Sequence, residues 1–401
     1  MEKNTKNELI SGEKYEKMIH GGEIYDKAIE YDFSVNLNPN PCPLEVKEAL
    51  IKAMEDVNRY PDISQIDFRT KVSESIKRYI YEDCKEFNLD GEMSENGTTS
   101  RYKDIVNFKN VLGGNGASEL LMSLLRMINP KKALIISPSF SGYTHVLNTI
   151  KNCTVIKHML TEEENFKLSD RILSDIDEAL DVLILTNPNN PTGMSIDKSL
   201  FEKILKKCKE KQVSLIVDEC FLLLSDNRSS AKKYIFDYEK MYVIDAYTKL
   251  FSIPGVRVGF VFSREENIER LSQYLPEWNM SVYALKAGEA CAKKLIDSDF
   301  VEKSIEMIDK ERAYITRKLK SFGLTVFESN TCFVLFRIDK CNSNLNLYEQ
   351  MLEKKILIRD CKSFFEKERG YYRIAVKNHE ENKALLNALE SVLVKESMTS
   401  C

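Results

Sequence analysis

Six short apolar runs, separated by helical stretches, dominate the middle of this chain of 401 residues. The runs are continuously apolar rather than alternating, as expected of strands that are covered on both faces. They lie at 133–137, 153–156, 181–186, 213–219, 242–245 and 258–262. Between them, 118–128 and 198–211 carry apolar residues at helical spacing. This alternation predicts an α/β fold with a mostly parallel sheet sandwiched by helices.

The character of the sequence changes after about residue 265. A long charged helix is predicted up to Gly323, and shorter segments follow it. They are strand-like at 332–338, 356–360 and 371–376, and helical at 346–355 and 379–396. We therefore predict a large domain over 45–265 and a smaller α+β domain formed by 1–44 and 266–401. The stretch 88–103 has neither periodicity nor apolar content and is predicted to be a solvent-exposed insertion.

Composition argues against several classes of function. The chain has 58 basic and 62 acidic side chains, a formal net charge of −4. This balance offers no electrostatic basis for binding nucleic acid or an anionic membrane. No apolar run approaches the roughly 20 residues that span a bilayer. Residues 1–17 are polar and lack the apolar core of a secretory signal, so a cytoplasmic location is expected.

Cysteine and histidine usage argues against a metal centre. The ten cysteines are scattered, without a C-x-x-C pair, and the chain has only four histidines. A structural zinc site therefore has few residues from which to form, and we predict no metal site and free thiols.

The stretch TNPNNPTG, residues 186–193, follows the third apolar run directly. Its two prolines exclude a helix and a regular strand, and Gly193 permits a backbone conformation that is closed to other residues. We interpret the stretch as a rigid turn that holds Asn190 toward a ligand, because ligands of open α/β sheets bind beyond the carboxyl ends of the strands.

Asp218 closes the apolar run that begins at residue 213, and Lys249 lies just after the run at 242–245. Taken alone, an Asp at a strand end is usually a cap or a solvated turn residue, and a loop Lys is usually on the surface. Asp218 fits that description less well, because a carboxylate behind four apolar residues is costly unless a partner pairs with it.

A third element is LGGNGASELL, residues 112–121, in which three glycines precede a predicted helix. The first turn of a helix exposes unpaired N–H groups and the positive end of the helix dipole, which suits a phosphate. Neither G-x-G-x-x-G nor G-x-x-x-x-G-K-[ST] occurs in the chain, so the dinucleotide and P-loop interpretations lose support.

Together these groups match the needs of one cofactor, pyridoxal 5′-phosphate. That cofactor requires a helix N-terminus for its phosphate, a carboxylate for its ring nitrogen, an amide for its ring oxygen and a lysine that binds it covalently. Asp218, Asn190 and Lys249 supply the last three groups, so the sequence predicts a pyridoxal-phosphate enzyme.

The motifs NPNNPTG, VDE and TK, with Arg257 eight residues after the lysine, resemble those of the fold-type I aminotransferases. Within them, the chain is most similar to the group of histidinol-phosphate aminotransferases and threonine-phosphate decarboxylases. The resemblance extends from about His20 to the last helix, interrupted mainly at 88–103. It implies two catalytic residues: Lys249, which binds the cofactor and transfers protons, and Asp218, which pairs with the pyridinium.

The resemblance also implies cofactor contacts at the matching positions. Asn190 would donate to the ring oxygen, and Phe140 in SPSFSGY would stack on the ring, although alone it would be assigned to the core. The residues implied to hold the phosphate are Gly116, Ala117, Ser118, Thr248 and Arg257. Tyr60 in NRYPD would reach the cofactor phosphate of the neighbouring subunit, which implies a homodimer.

Four residues are implied to bind the substrate. Arg373 in YYRIAV would grip the α-carboxylate, for which the two-pronged guanidinium is well suited. His20 in the HGG segment and Arg359 in ILIRDC would bind a substrate phosphate, and Asn36 in DFSVNLNP would face the substrate. Without the resemblance, His20 could equally be a surface residue.

Two departures from the aminotransferase pattern bear on function. Ala246 stands where a hydroxyl usually contacts the cofactor phosphate. Phe221 stands where the aminotransferases usually carry a tyrosine that contacts the ring oxygen, and the decarboxylase branch has phenylalanine there.

The expected function is therefore that of a homodimeric enzyme acting on a small phosphorylated amino acid. The leading prediction is an activity like that of threonine-phosphate decarboxylase, which makes the aminopropanol phosphate of the cobalamin side chain. The alternative is an aminotransferase of the histidinol-phosphate type that passes an amino group to 2-oxoglutarate. A regulator that only binds the cofactor and a NAD-dependent dehydrogenase are further, weaker alternatives.

Overall fold

The computed structural model describes residues 28–86, 105–338, 346–365 and 370–399. His20 and the predicted insertion at 88–103 lie outside the described residues. Within the described ranges, no helix combines the length and the apolar content needed to cross a membrane.

A seven-stranded sheet forms the centre of the molecule. Its strands are β2 (Val111–Gly114), β3 (Lys132–Ser137), β4 (Thr154–Met159), β5 (Val182–Thr186), β6 (Ser214–Asp218), β7 (Met241–Asp245) and β8 (Gly259–Phe262). Their order is β2-β8-β7-β6-β5-β3-β4. β8 runs antiparallel to both neighbours, and the other neighbouring pairs run parallel. The mostly parallel sheet predicted from the sequence is thus confirmed.

Two hydrophobic cores cover the two faces of this sheet. On β5, Leu183 and Leu185 belong to one core, whereas Val182 and Ile184 belong to the other. Burial on both faces explains why the central strands are continuously apolar. The prediction was wrong for β4, which is the last strand of the sheet in the described part of the chain: Thr154, Lys157 and Met159 are exposed, because the two cores only partly cover the faces of this strand.

Eleven α-helices lie in the described part of the chain. They are α1 (Leu44–Lys52), α2 (Ile66–Glu86), α3 (Ala117–Ile128), α4 (Ser141–Leu147), α5 (Lys198–Lys211), α6 (Tyr247–Leu250), α7 (Glu265–Ser272), α8 (Val282–Asp297), α9 (Phe300–Ser321), α10 (Leu347–Glu353) and α11 (His379–Thr399). Both helices predicted between the strands, α3 and α5, are present. The long charged helix is α9, and Gly323 follows its end with a left-handed φ of 79°.

Two smaller sheets lie toward the C-terminal part of the chain. The remaining strands are β1 (Tyr31–Asp32), β9 (Thr325–Val326), β10 (Phe333–Arg337), β11 (Ile356–Leu357), β12 (Arg359–Asp360) and β13 (Tyr371–Ala375). β12, β13, β10 and β9 form an antiparallel sheet in that order, and β1 pairs with β11. The single strand predicted at 356–360 is therefore divided between two sheets.

A third hydrophobic core packs the antiparallel sheet against α9 and α11. The predicted domain boundary at residue 265 stays a prediction. Beyond it, Ala284 and Cys291 of α8 pack with Phe68 and Val72 of α2 in the core of the seven-stranded sheet.

Candidate active site

The carboxyl ends of β7, β6, β5 and β3 meet at one edge of the main sheet. Asp218 is the last residue of β6, and Asn190 lies four residues beyond the end of β5. Lys249 is carried by the short helix α6, which begins two residues after β7, and Phe140 follows β3. A cavity of about 350 Å³ opens at this edge, which is where ligands of open α/β sheets bind.

The structure brings most of the predicted site residues together around this cavity. Eleven of them line it: Asn36, Ala117, Ser118, Phe140, Asn190, Asp218, Thr248, Lys249, Arg257, Arg359 and Arg373. Gly116 lies directly beside Arg257. Tyr60 does not line the cavity; its side chain is 81% exposed and its ring lies 4.8 Å from that of Trp278.

One end of the cavity is formed by the N-terminus of α3. Gly116 is the N-cap residue, with φ of 80°, and no side chain caps this helix end. A Cβ atom at Gly116 would lie 2.4 Å from Nη2 of Arg257, so only glycine allows the guanidinium to approach the backbone here. The positive end of a helix and an arginine therefore converge beside Ala117 and Ser118, which forms a site suited to a phosphate.

In the middle of the cavity, Asp218 is held by two donors. Tyr143 donates its hydroxyl proton to Asp218 Oδ2 at 2.8 Å, and the Cys220 N–H donates to Oδ1 at 3.0 Å. Thr186 donates in turn to the Tyr143 oxygen at 2.9 Å. Burial and the charge of Asp218 raise the pKa of Tyr143 well above its usual value, so its hydroxyl stays protonated and remains a donor.

Sequence reasoning missed Tyr143 and Thr186. Both line the cavity. The available signal was the position of Tyr143 three residues after Phe140, which places the two rings 5.7 Å apart at the start of α4. Ser34, Val35, Cys220 and Phe364 also line the cavity without having been predicted.

The amine of Lys249 faces this centre from α6. Burial lowers the pKa of the Lys249 amine, and the guanidinium groups of Arg373 and Arg257 lower it further. The nitrogen lies 5.9 Å from the ring centre of Phe221. A lowered pKa increases the fraction of neutral amine, which is the nucleophilic form of a lysine.

Two buried arginines form the opposite wall. Arg359 on β12 and Arg373 on β13 are direct partners in the strand register. Arg373 Nη2 donates to the Ser34 carbonyl at 2.7 Å, whereas its buried Nε has no partner within the described part of the protein. Burial lowers the pKa of Arg373 to about 10. Arg359 Nη2 donates to Ser363 Oγ at 3.0 Å.

The turn that carries Asn190 packs closely against Ser329 and is hydrogen-bonded to Arg373. Gly193 has φ of 77°, and a Cβ atom there would lie 2.3 Å from Ser329 Oγ. Asn190 Oδ1 accepts a hydrogen bond from Arg373, so the amide hydrogens of Asn190 are its remaining donors. Asn36 is buried, and its Oδ1 has no partner among the described residues.

These groups fit pyridoxal phosphate. The glycine-lined cleft between α3 and Arg257 matches its phosphate, the Asp218 carboxylate its ring nitrogen and the Lys249 amine its carbonyl carbon. The unpaired Arg373 Nε would meet an anionic group of a substrate. These roles of individual residues stay predictions. Ala246, the residue that departs from the family pattern of a phosphate-binding hydroxyl, lines the cavity.

A buried ion cluster behind the cavity was not predicted. Lys232 donates to Glu219 and to Asp245, each at 2.7 Å, and all three side chains are buried. Glu219 follows Asp218 directly, and Asp245 Oδ1 accepts the N–H of Ala246 at 2.7 Å. The cluster thus joins the ends of β6 and β7 beneath the site.

Comparisons with known proteins agree with this geometry. The model of the aminotransferase class I and II family matches residues 28–389. The threonine-phosphate decarboxylase of Salmonella typhimurium is 28% identical over 384 residues, which is 93% of this chain and 96% of the relative.

Solved structures are similar over the same length. The histidinol-phosphate aminotransferase of Clostridium acetobutylicum has a TM-score of 0.75 and 29% identity, covering 91% of this chain and 99% of that one. The L-threonine-O-3-phosphate decarboxylase of Porphyromonas gingivalis has a TM-score of 0.72 and 20% identity, covering 90% of this chain and 98% of that one. At this identity the similarity shows the fold alone.

Proposed function

The chain belongs to the aminotransferase class I and II family, a family of enzymes that use pyridoxal 5′-phosphate, and we propose that it decarboxylates a small phosphorylated amino acid. The best candidate substrate is threonine phosphate. Loss of carbon dioxide from it gives aminopropanol phosphate, which the cobalamin side chain requires.

The observation that carries the proposal is the pair of buried arginines at the substrate side of the cavity. Arg257 beside α3 serves the phosphate of the cofactor. Arg359 and Arg373 are adjacent on the opposite wall of the cavity and suit a substrate that carries two anionic groups at once. Threonine phosphate has a carboxylate and a phosphate, whereas histidinol phosphate has a phosphate and no carboxylate. Phe221, which offers no hydroxyl to the site, also supports the decarboxylase.

Each step of the proposed decarboxylation is assigned to a residue of the cavity. When bound, the cofactor supplies a protonated ring that accepts the electrons of the bond broken at the substrate α-carbon. Asp218 keeps a proton on the ring nitrogen, and Lys249 holds the cofactor and returns a proton to the α-carbon. Arg373 and Arg359 would hold the carboxylate and the phosphate of the substrate, and the resulting orientation would select the bond to the carboxylate for cleavage, with loss of carbon dioxide.

The alternative is a histidinol-phosphate-type aminotransferase. The 29% identity to the aminotransferase of Clostridium acetobutylicum favours it, and the two carboxylates of 2-oxoglutarate would also need two arginines. One assay separates the activities: the purified enzyme is given threonine phosphate alone, and separately histidinol phosphate with 2-oxoglutarate. Carbon dioxide from the first mixture supports the decarboxylase, and glutamate from the second without carbon dioxide from the first supports the aminotransferase.

Substrate specificity tests the proposed role of Arg359. A charge-assisted hydrogen bond contributes roughly 1.5–3 kcal/mol, so Arg359→Ala should lower kcat/KM for threonine phosphate by about 10- to 100-fold. Weak activity on threonine should be spared, because only the phosphate loses its partner. The exposed Arg126 on α3 offers a control, Arg126→Ala. Equal losses on both substrates would assign Arg359 to the fold or to the cofactor.

The same comparison with His20→Ala tests the second predicted phosphate ligand.

The proposal includes a homodimer in which Tyr60 reaches the neighbouring site. Large apolar side chains are exposed along residues 44–66, and the ring of Trp278 lies against that of Tyr60. The exposed residues are Leu44, Ile51, Met54, Val57, Tyr60, Ile63, Ile66 and Trp278. Apolar side chains exposed together favour burial against another molecule. Tyr60 is 81% exposed and does not line the cavity of its own subunit, which is compatible with a role in the neighbouring site.

A mixing experiment tests that arrangement. Tyr60→Ala and Lys249→Ala should each be impaired as pure dimers. If Tyr60 acts across the interface, a mixed dimer contains one complete site, and random exchange should restore roughly a quarter of wild-type activity. No recovery in dimers shown to be mixed would place Tyr60 outside the neighbouring site.

The proposal also includes a cytoplasmic location. Seven cysteines of the described chain are free, and free thiols are compatible with a reducing compartment. Cell fractionation with an antibody to the protein would test this directly.

A further inference from the structure

The segment 34–38 crosses the site from the substrate arginines to the helix that carries Lys249. At one end, the Ser34 carbonyl accepts a hydrogen bond from Arg373. Asn36 lines the cavity in the middle of the segment. At the other end, Asn38 is 5% exposed and lies against α6. Asn38 has no role in the chemistry described above.

Asn38 makes five hydrogen bonds, and three of them go to the chain around Lys249. Its N–H donates to the Lys249 carbonyl at 3.0 Å, and its carbonyl accepts from Ser252 Oγ at 2.9 Å. Its side-chain amide donates to the Leu250 carbonyl at 2.8 Å and to Ser304 Oγ at 2.8 Å. Its Oδ1 accepts the N–H of Asn40 at 3.0 Å, which fixes the orientation of the amide.

These contacts add partners to the C-terminal end of α6, where the Lys249 carbonyl also accepts the Ser252 N–H at 3.4 Å. α6 has four residues, so its last carbonyls lack the partners that a longer helix would provide. A single turn is also costly to form in isolation. The side-chain amide of Asn38, 212 positions before Leu250, caps the Leu250 carbonyl, and Ser304 ties the same amide to α9.

We propose that Asn38 is a positioning residue for Lys249, which fixes the turn of α6 so that the amine stays aimed at the reacting carbon. The inference rests on the proposed function, because it takes Lys249 as the residue that carries the cofactor. Asn38 acts through the Leu250 carbonyl and is not among the residues that line the cavity. Small errors in placing a reacting group are costly, since a displacement of about 1 Å can lower a rate by roughly 100-fold.

The chain offers a closely matched control. Asn40 also donates its side-chain amide to Ser304, at 3.2 Å, but not to α6. Asn38→Ala should lower kcat by about 10-fold or more while KM changes by less than about 2-fold, because substrate contacts remain intact. Asn40→Ala should stay close to wild type in both constants. Asn38→Ser, which can restore one donor, should have an intermediate kcat.

A second readout does not depend on catalysis. In the cofactor-free protein, the rate at which an amine reagent acylates Lys249 can be followed against pH by peptide mass spectrometry. The wild-type profile should reflect an amine whose pKa is lowered by burial. In Asn38→Ala, a loosened α6 should expose the amine and shift the profile to higher pH by roughly half a unit or more. Asn40→Ala should overlay the wild type.

The controls separate failure of the inference from failure of the proposed function. Reduction of the wild-type holoenzyme with borohydride should first show the cofactor on Lys249; an adduct elsewhere would overturn the proposed function. With that adduct in place, the inference is overturned if Asn38→Ala matches Asn40→Ala in kcat and in the acylation profile. A fall in thermal stability with kcat and profile unchanged would also overturn it, because Asn38 would then be structural only. If Asn38→Ala does not fold, Asn38→Ser takes its place in both measurements.

Discussion

Replacing Lys232 with methionine should destabilise the protein strongly, because this lysine is the buried cation between two carboxylates. Its amine lies 2.7 Å from Glu219 and 2.7 Å from Asp245, and the three side chains are at most 8% exposed. Burial by itself lowers the pKa of Lys232, and the two carboxylates reverse this and raise it above its usual value. Methionine keeps the volume but leaves both carboxylates without their cation.

The magnitude follows from the burial of the cluster. Removing one partner of a buried ion pair costs roughly 3–5 kcal/mol, because an uncompensated charge remains. Lys203→Met is a suitable control, since Lys203 and Asp170 lie at a similar distance, 2.8 Å, but both side chains are more than half exposed. Exposed pairs contribute about 0.2–1 kcal/mol, so the control should change the free energy of unfolding little.

The pH dependence has a definite sign. Burial raises the pKa of Asp245 even beside Lys232, and removing the cation should raise it further. A carboxyl whose pKa is higher in the folded than in the unfolded state is stabilising below the unfolded pKa, and this contribution is lost as the pH rises through the folded pKa. The deficit of Lys232→Met relative to wild type should therefore be full near pH 8 and smaller near pH 5.

Urea unfolding of wild type, Lys232→Met and Lys203→Met at both pH values would check this. A loss for Lys232→Met no larger than that of the control at pH 8 would refute the reasoning. So would a deficit that grows as the pH falls.

Three substitutions in the cavity test other parts of the account. Asp218→Asn should fold but turn over slowly, since an amide cannot keep a proton on the ring nitrogen; a wild-type kcat would make Asp218 structural. Arg373→Lys should raise KM for the amino substrate, because an ammonium cannot grip a carboxylate at two points; an unchanged KM would move the carboxylate site elsewhere. Gly116→Ala should weaken cofactor binding in an absorbance titration by about 10-fold or more. At Gly116 φ is 80° and ψ is 167°, a backbone region essentially restricted to glycine that costs another residue roughly 1–3 kcal/mol. The new Cβ would also lie 2.4 Å from Arg257. Unchanged affinity would show that the phosphate does not bind there.

Much of the fold and the cavity could be predicted because both follow from local patterns. Continuous apolar runs specify strands that are buried on both faces, and in a parallel sheet their carboxyl ends meet at one edge. Asp218, Asn190 and Lys249 each follow such a run, so their convergence required no knowledge of long-range packing. β4 was misjudged because its sequence does not reveal that it lies at the edge of the sheet.

The supporting contacts could not be predicted, because they join residues that are distant in sequence. Tyr143 reaches Asp218 across 75 positions, and Asn38 reaches Leu250 across 212. Nothing in the local sequence of Lys232 distinguishes it from its neighbour Lys233, which is only half-buried. Such residues become visible only when the strands and loops are placed in three dimensions.

The central claim is that Lys249 carries pyridoxal phosphate in this cavity, and peptide mapping after borohydride reduction tests it most directly. The purified holoenzyme should absorb visible light, lose that absorption on reduction, and yield one modified peptide with the cofactor mass on Lys249. An adduct on a different lysine, or a reduced holoenzyme without any covalent cofactor, would contradict the account.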